Sequence, residues 1–351
     1  MKAVVVSSPG DIRWQEVPDP AVPPGWVRVA VGAVGVCTSD VGRALHGTAY
    51  HYPIILGHEI AGEVAEVGEG LDESIVGRRV AVAPLIPCGK CEWCERGRYS
   101  MCDDYDYLGS RRDGGCAEFV VAPERNLVYL PASVSIEDAG VLEPASVTLH
   151  GLDGRVRSND DVVILGAGNL GLFAVQQARL LGAGRVFVID IVHRRLDLAA
   201  GLGGIPILAD ANSDGAPALK SATGGRLADL VVDTCGVASV QASALAMARK
   251  GGRIVFMGLP SKDVCLTPEN VNWLVRSEVE LCGSWNSFSA PFPGAAWHAN
   301  VSYLASGKLA TAPIITHRFD LRQAAEAYRH LDEGRQDTIK VLLLTEPRST
   351  R

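Results

Sequence analysis

Two rhythms of apolar positions divide the chain. From Met1 to about residue 150, short Val-rich runs alternate with Gly and Pro, as in Trp26-Val27-Arg28-Val29-Ala30-Val31 and Ala61-Gly62-Glu63-Val64-Ala65-Glu66-Val67-Gly68. Period-two alternation between turn residues predicts short, half-buried strands, and hence a small irregular β domain. After residue 155 apolar strands and helical segments take turns, the pattern of a parallel sheet with crossover helices. Strands are expected at Val162 to Leu165, Val186 to Ile189, Ile205 to Ala209, Leu230 to Asp233, Ile254 to Met257 and Val279 to Cys282. Six such strands suit a doubly wound α/β sheet. From about Ser287 the rhythm breaks at Pro291, Pro293 and Pro313, then resumes as a helix near Ala324 to Leu331 and a strand at Ile339 to Leu344. This tail is expected to return to the first domain. Ala211 to Gly215 reads as a polar turn or helix start, and no internal repeat interrupts the pattern.

Composition narrows the class. At 351 residues and 47% apolar, the chain has the length for two domains and the material for substantial cores. Its net charge of -7 is dispersed, and no Lys/Arg run suggests a nucleic-acid footprint. The N-terminus reaches Pro9-Gly10 too soon for a signal-peptide core, and no uninterrupted apolar stretch is long enough to span a membrane. A cytoplasmic location is the resulting expectation. Of nine cysteines, Cys88, Cys91, Cys94 and Cys102 crowd into fifteen positions while the rest are scattered, which favours metal over disulfides.

A dinucleotide loop follows the first strand of the second region. Asp161 to Leu165 runs directly into Gly166-Ala167-Gly168-Asn169-Leu170-Gly171 and then the amphipathic run Leu172 to Leu181. Gly166 permits the tight turn, Gly168 lets backbone amides approach a pyrophosphate, and Gly171 lets the helix pack on the strand. Asn169 and Leu170 open the helix whose N-terminus faces that charge. Asp190 ends the next strand, nineteen residues after Gly171, where its carboxylate can accept from the adenosine ribose. It would repel a 2′-phosphate, so NAD is expected over NADP, although Arg194 and Arg195 just behind it soften the preference.

Two metal constellations stand in the first region. The spacing Cys88-x-x-Cys91-x-x-Cys94 with Cys102 beyond it lets four thiolates converge tetrahedrally with no open position, a structural zinc site. A second set is dispersed: Cys37, His58, Glu59 and Glu143. Sulfur, nitrogen and oxygen donors with water in the remaining position are what a catalytic zinc requires, but spacing alone does not join residues so far apart.

Resemblance joins them. Cys37-x-x-Asp40, Gly57-His58-Glu59-x-x-Gly62, the cysteine loop and Gly166-x-Gly168-x-x-Gly171, in this order and across essentially the whole chain, resemble the zinc-containing medium-chain dehydrogenase/reductase family. The resemblance implies a GroES-like β-rich catalytic domain over residues 1–152, an inserted Rossmann NAD-binding domain over 153–286, and a segment 287–351 returning to the first. It also implies two zinc ions per chain. Cys37, His58 and Glu143 would ligate the catalytic one, with Glu59 coordinating or holding the next shell. Glu143-Pro144 is similar to the polyol (sorbitol) dehydrogenase branch. Tyr105 to Gly115 and Gly283-Ser284-Trp285 resemble the galactitol 1-phosphate dehydrogenase subgroup.

The activity so implied is hydride transfer from a secondary hydroxyl of a polyol or polyol phosphate to NAD. Ser39 matches the hydroxyl that relays the proton outward, Asp40 the carboxylate that orients His58, and Thr38 a residue that shapes the site or contacts cofactor. Many relatives continue the relay with a histidine where this chain has Gly42, which leaves His46, His51 or a ribose hydroxyl as the exit. Arg111 and Arg112 are candidates for a substrate phosphate, against salt bridges to Asp113 or Glu118; Trp285 and Phe288 are candidate pocket walls. Other readings are a cyclitol or amino-cyclitol dehydrogenase, a zinc interaction module without catalysis, and a zinc-free NADPH-dependent reductase. An edge strand near Val279 to Cys282 suggests a homodimer or homotetramer.

Overall fold

The computed structural model describes residues 1–210 and 214–345. Of the expected turn at Ala211 to Gly215, residues 211–213 therefore lie outside the described residues. The chain divides into two compact units, one of Met1–Pro144 with the segment from Phe288 onward, the other of Ala145–Ser287. Among the described residues no helix is long and apolar enough to cross a membrane.

The first unit is built on a seven-stranded sheet, because its Val-rich runs can bury one face only by pairing side by side. Its path runs Leu127–Tyr129, Arg79–Val82, Glu59–Val67, Trp26–Val36, Lys340–Leu344, Ile315–Asp320, with Phe119–Pro123 also pairing to Trp26–Val36. Alternate residues of Trp26–Val36 are buried along its first half and every residue from Ala33 to Val36 is buried, so the strand enters the core as it approaches the site. Lys2–Ser8 forms a smaller sheet with Asp11–Glu16 and Ile54–Ile55.

Register decides what gathers at one end of the large sheet. Gly35 pairs with Glu59, and Val36 pairs with Val341. Cys37, just past one strand, is thereby brought beside His58 and Glu59 at the head of a second and Lys340 at the head of a third. A one-residue slip would turn every one of these side chains to the other face.

The second unit is a six-stranded parallel sheet, ordered Ile205–Leu208, Arg185–Asp190, Asp161–Leu165, Ala228–Asp233, Ala248–Phe256, Glu280–Gly283. This order reverses beside the first strand, the switch point at which doubly wound sheets bind nucleotides. Asp161–Leu165 is buried throughout, as a strand covered on both faces must be. All six expected strands occur; Ala248–Phe256 begins earlier than its apolar run because Ala248 already pairs with Ala228, after which the register shifts past Gly251, at φ 64°, before Arg253 pairs with Leu230.

Candidate functional site

Cys37 caps the N-terminus of the helix Thr38–Leu45, whose first turn carries Asp40. The ligand atoms of Cys37, His58 and Glu59 lie within 4.8 Å of one another. His58 Nδ1 is 3.1 Å from Asp40 Oδ1, which leaves the other ring nitrogen to face Cys37. Burial drives the Cys37 thiol up, yet its hydrogen bond to His58 and the imidazole charge outweigh this and hold it below its ordinary value. Burial alone would lower His58, but the Asp40 carboxylate and Cys37 hold it well above its usual range. Asp40, raised by burial, is brought down further by His58 and Arg43. A cysteine sulfur, an imidazole and two carboxylates thus share the ground that a divalent cation would take, and binding it releases protons from these groups.

Glu59 is 1% exposed, and its Oε1 accepts from the ammonium of Lys340, which also donates to the Val36 carbonyl at 3.0 Å. Glu59 Oε2 has no partner, although buried carboxylate oxygens are normally satisfied. The space around it depends on Gly35, where a Cβ would stand 2.0 Å from Oε2 and 2.6 Å from the Gly140 carbonyl. An orphaned carboxylate oxygen beside a cysteine sulfur and an imidazole is the donor set that suits zinc, and the residues present fit that ion.

Glu143 opens the helix Leu142–Leu152 and stands outside the group of three. It accepts from the Tyr107 hydroxyl at 3.3 Å, and the Tyr107 ring centre is 5.9 Å from that of His58. Burial pushes the Glu143 carboxyl up to about 7, with Glu59 adding to the rise and His58, Lys340 and the Tyr107 bond opposing it.

The four-cysteine loop, by contrast, is local in its geometry. Cys91 caps the short helix Glu92–Glu95, which carries Cys94, and Cys102 follows the turn Tyr99–Met101. All four sulfurs lie within 4.8 Å of one another, with Cys88 to Cys94 at 4.0 Å and Cys91 to Cys102 at 3.9 Å. Ligands about 2.3 Å from a tetrahedral zinc lie roughly 3.8 Å apart, whereas a disulfide needs about 2.05 Å. All nine cysteines are free thiols, so this loop suits a closed zinc site.

In the second unit, Gly166 has φ 95° and Gly168 caps the helix Asn169–Leu180 with nothing within 4 Å of where its Cβ would be. A Cβ on Gly171 would meet the Gly166 carbonyl at 1.9 Å, so only glycine lets this helix pack on the turn. Asp190 accepts from the amides of Ala167 at 2.6 Å and Val192 at 2.9 Å, which fixes the carboxylate at the strand end. Each oxygen keeps a lone pair for a ribose hydroxyl. Arg195 is in the first turn of the helix His193–Gly201.

Several candidates resolve differently from one another. Arg112 pairs with Asp106 at 3.3 Å, while Arg111 lies between the rings of Tyr50 and Tyr105, 4.8 and 4.2 Å from their centres. Asp113 and Glu118 instead accept from the amides of Ile55 and Lys2. Phe288 is core rather than an open pocket wall, 1% exposed and stacked on Trp297 and Phe292. Trp285 is 49% exposed. His46 engages Asp332 at 2.7 Å and His51 the Arg111 carbonyl at 3.2 Å. Sequence reasoning passed over Lys340, Tyr107 and Arg43; the single lysine inside the apolar run Ile339 to Leu344 was the one available signal.

Residues 23–132 match the alcohol dehydrogenase GroES-like domain family, and residues 169–299 the zinc-binding dehydrogenase family. The chain is 36% identical to galactitol 1-phosphate 5-dehydrogenase of Escherichia coli (strain K12) over 98% of its own length and 100% of the relative's. A solved galactitol-1-phosphate dehydrogenase from Escherichia coli superimposes with a TM-score of 0.92, at 36% identity over 98% of this chain and 100% of that one. Sorbitol dehydrogenase of Bacillus subtilis (strain 168) is 32% identical over 98% of this chain and 97% of its own. An alcohol dehydrogenase from Escherichia coli CFT073, solved with NADH, has a TM-score of 0.89 at 28% identity, covering 98% of this chain and 99% of that one.

Proposed function

Because the chain belongs to the zinc-containing medium-chain dehydrogenase/reductase family, in its polyol dehydrogenase branch, we propose that it oxidises a secondary hydroxyl of a polyol phosphate to the ketose phosphate. It is an NAD-dependent zinc alcohol dehydrogenase that oxidises a polyol hydroxyl to a ketone. It takes two zinc ions, one catalytic and one structural. The observation that carries the site assignment is the cluster of Cys37, His58 and Glu59, with one carboxylate oxygen of Glu59 buried and unmatched.

Zinc bound there supplies a Lewis acid that lowers the substrate hydroxyl's pKa, and NAD accepts the hydride. Cys37, His58 and Glu59 hold the ion, and Glu143, fixed by Tyr107, is the further ligand offered by this pocket. Asp40 holds His58 by its Nδ1 and so keeps the other ring nitrogen aimed inward. Ser39 takes up the hydroxyl proton. Gly166, Gly168, Asn169, Leu170 and Gly171 receive the pyrophosphate, and Asp190 with Arg195 the adenosine ribose. Cys88, Cys91, Cys94 and Cys102 hold the structural zinc.

The phosphate falls to Arg111. Arg112 already has a carboxylate, whereas Arg111 lines a cavity of about 600 Å³ together with Lys90, Tyr50, Tyr105, Asp104 and Asp106. Arg111 Nη1 donates to the Tyr105 carbonyl at 3.3 Å, which anchors the guanidinium beside the two rings, and its other N–H donors are the ones assigned to the phosphate. Trp285 is assigned to the substrate as well. The exposed strand Glu280–Gly283 at the sheet edge is assigned to a two-fold contact in a dimer or tetramer, and free thiols throughout suit the cytoplasm.

The test is NADH production from polyols, their phosphate esters and cyclitols, run with Arg111→Ala alongside. Higher kcat/KM for an ester, lost by at least about tenfold in the variant, supports the reading. Equal rates for ester and free polyol remove the phosphate; a cyclitol preference moves the enzyme to that substrate class. Purified enzyme with one zinc per chain would count against the catalytic site.

A further inference from the structure

We infer that Arg43 positions Ser39 for the outward passage of the substrate proton, an inference that rests on the relay role proposed for Ser39. Ser39 and Arg43 stand four residues apart on the helix Thr38–Leu45, so their side chains share a face. Arg43 Nη1 is 3.0 Å from Ser39 Oγ and 3.0 Å from Asp40 Oδ1. One nitrogen thus ties the relay hydroxyl to the carboxylate that orients His58.

The consequence follows from donor and acceptor counting. A serine hydroxyl has one hydrogen to donate and two lone pairs, and a guanidinium can only donate. Arg43 occupies one lone pair of Ser39 Oγ, which leaves the other to accept the proton of the substrate hydroxyl. The serine's own hydrogen then leaves on the side away from Arg43, to water or to a ribose hydroxyl of the cofactor. One O–H bond forms at Ser39 as another breaks, a single proton departs, and the electron pair of the substrate C–H bond goes to NAD as hydride. The cationic neighbour also opposes any positive charge building up on Ser39 during the transfer.

The surroundings leave this role to Arg43. A side chain at Gly42, where relatives place a relay histidine, would put its Cβ 2.9 Å from Thr48 Oγ1. His46 and His51 are held by Asp332 and the Arg111 carbonyl. Arg43 is itself anchored, since its carbonyl accepts from the Tyr52 hydroxyl at 2.5 Å and its side chain is only 17% exposed.

The experiment is a double-mutant cycle on the purified zinc enzyme with Arg43→Ala, Ser39→Ala and the pair. NADH affinity by fluorescence and zinc content are measured on each variant. Arg43→Ala should lower kcat roughly tenfold or more, with two zincs and near-native NADH affinity retained, while the pair is no slower than Ser39→Ala within about twofold. The solvent deuterium effect on kcat should rise in Arg43→Ala and be recovered in Arg43→Lys, which restores a cationic donor. Additive losses in the cycle, or an unchanged solvent effect, would overturn the role of Arg43. An unchanged kcat in Ser39→Ala would instead overturn the relay on which it rests. If Arg43→Ala does not fold, the same cycle with Arg43→Gln decides the question.

Discussion

Lys340 donates to Glu59 and to the Val36 carbonyl from a position 2% exposed, so the carboxylate it faces is balanced by a single cation. Removing one member of such a pair leaves the other charged and desolvated, at about 3–5 kcal/mol. Lys340→Met should therefore lower the unfolding free energy of the metal-free protein by that amount, read as a lower urea midpoint, whereas the Glu59→Gln, Lys340→Met double variant should recover part of the loss. An unshifted midpoint in Lys340→Met would show that the pair contributes nothing. Gly35 matters for a different reason: its missing side chain makes room for Glu59, so Gly35→Ala should displace the carboxylate and reduce zinc content below two per chain. Full occupancy in that variant would contradict the close approach.

At the scale of elements, the strand Asp161–Leu165 is fixed at its start by an ion network. Asp161 accepts from Arg185 at 2.7 and 2.6 Å and from Arg226 at 2.9 Å, and Arg226 also reaches Asp229. The Arg185 hydrogen bonds outweigh burial and hold the Asp161 carboxyl below its ordinary value. A carboxylate depressed in the folded state contributes stability above its unfolded pKa of about 3.9 and loses it as pH falls through the lower folded value. The melting-temperature gap between wild type and Asp161→Asn should be widest above about pH 5 and close as pH drops below about 4. A gap independent of pH would mean that the network acts by packing. Because Arg185 and Arg226 are half exposed, added salt should narrow it as well.

For the molecule as a whole, the sheet edge Glu280–Gly283 leaves Leu281 at 41% and the following Trp285 at 49% exposure. An edge with apolar side chains and free backbone groups is normally covered or blunted by charge. Leu281→Lys should shift the sedimentation of an oligomeric wild type toward monomer while leaving zinc content intact. A wild-type monomer, or a variant still fully assembled, would remove this edge from the interface. Every strand of the second unit pairs inside one sheet.

Features confined to a few neighbouring positions were legible from the chain alone. The cysteine loop spans Cys88 to Cys102, the dinucleotide turn Gly166 to Gly171, and the six parallel strands follow from apolar runs, since each is set by short spacing and local turn chemistry. The candidate metal cluster is of another kind. Cys37, His58, Glu59 and Lys340 come together only because three strands pair in one register, and no spacing encodes a register between residues 37 and 340. Tertiary packing also set Glu59 within 4.8 Å of Cys37 and His58 and fixed Glu143 through the Tyr107 hydroxyl at 3.3 Å. Local chemistry thus determined the four-cysteine loop and the glycine turn, whereas long-range pairing, which costs loop-closure entropy and is specified by the whole core, determined the cluster of Cys37, His58 and Glu59.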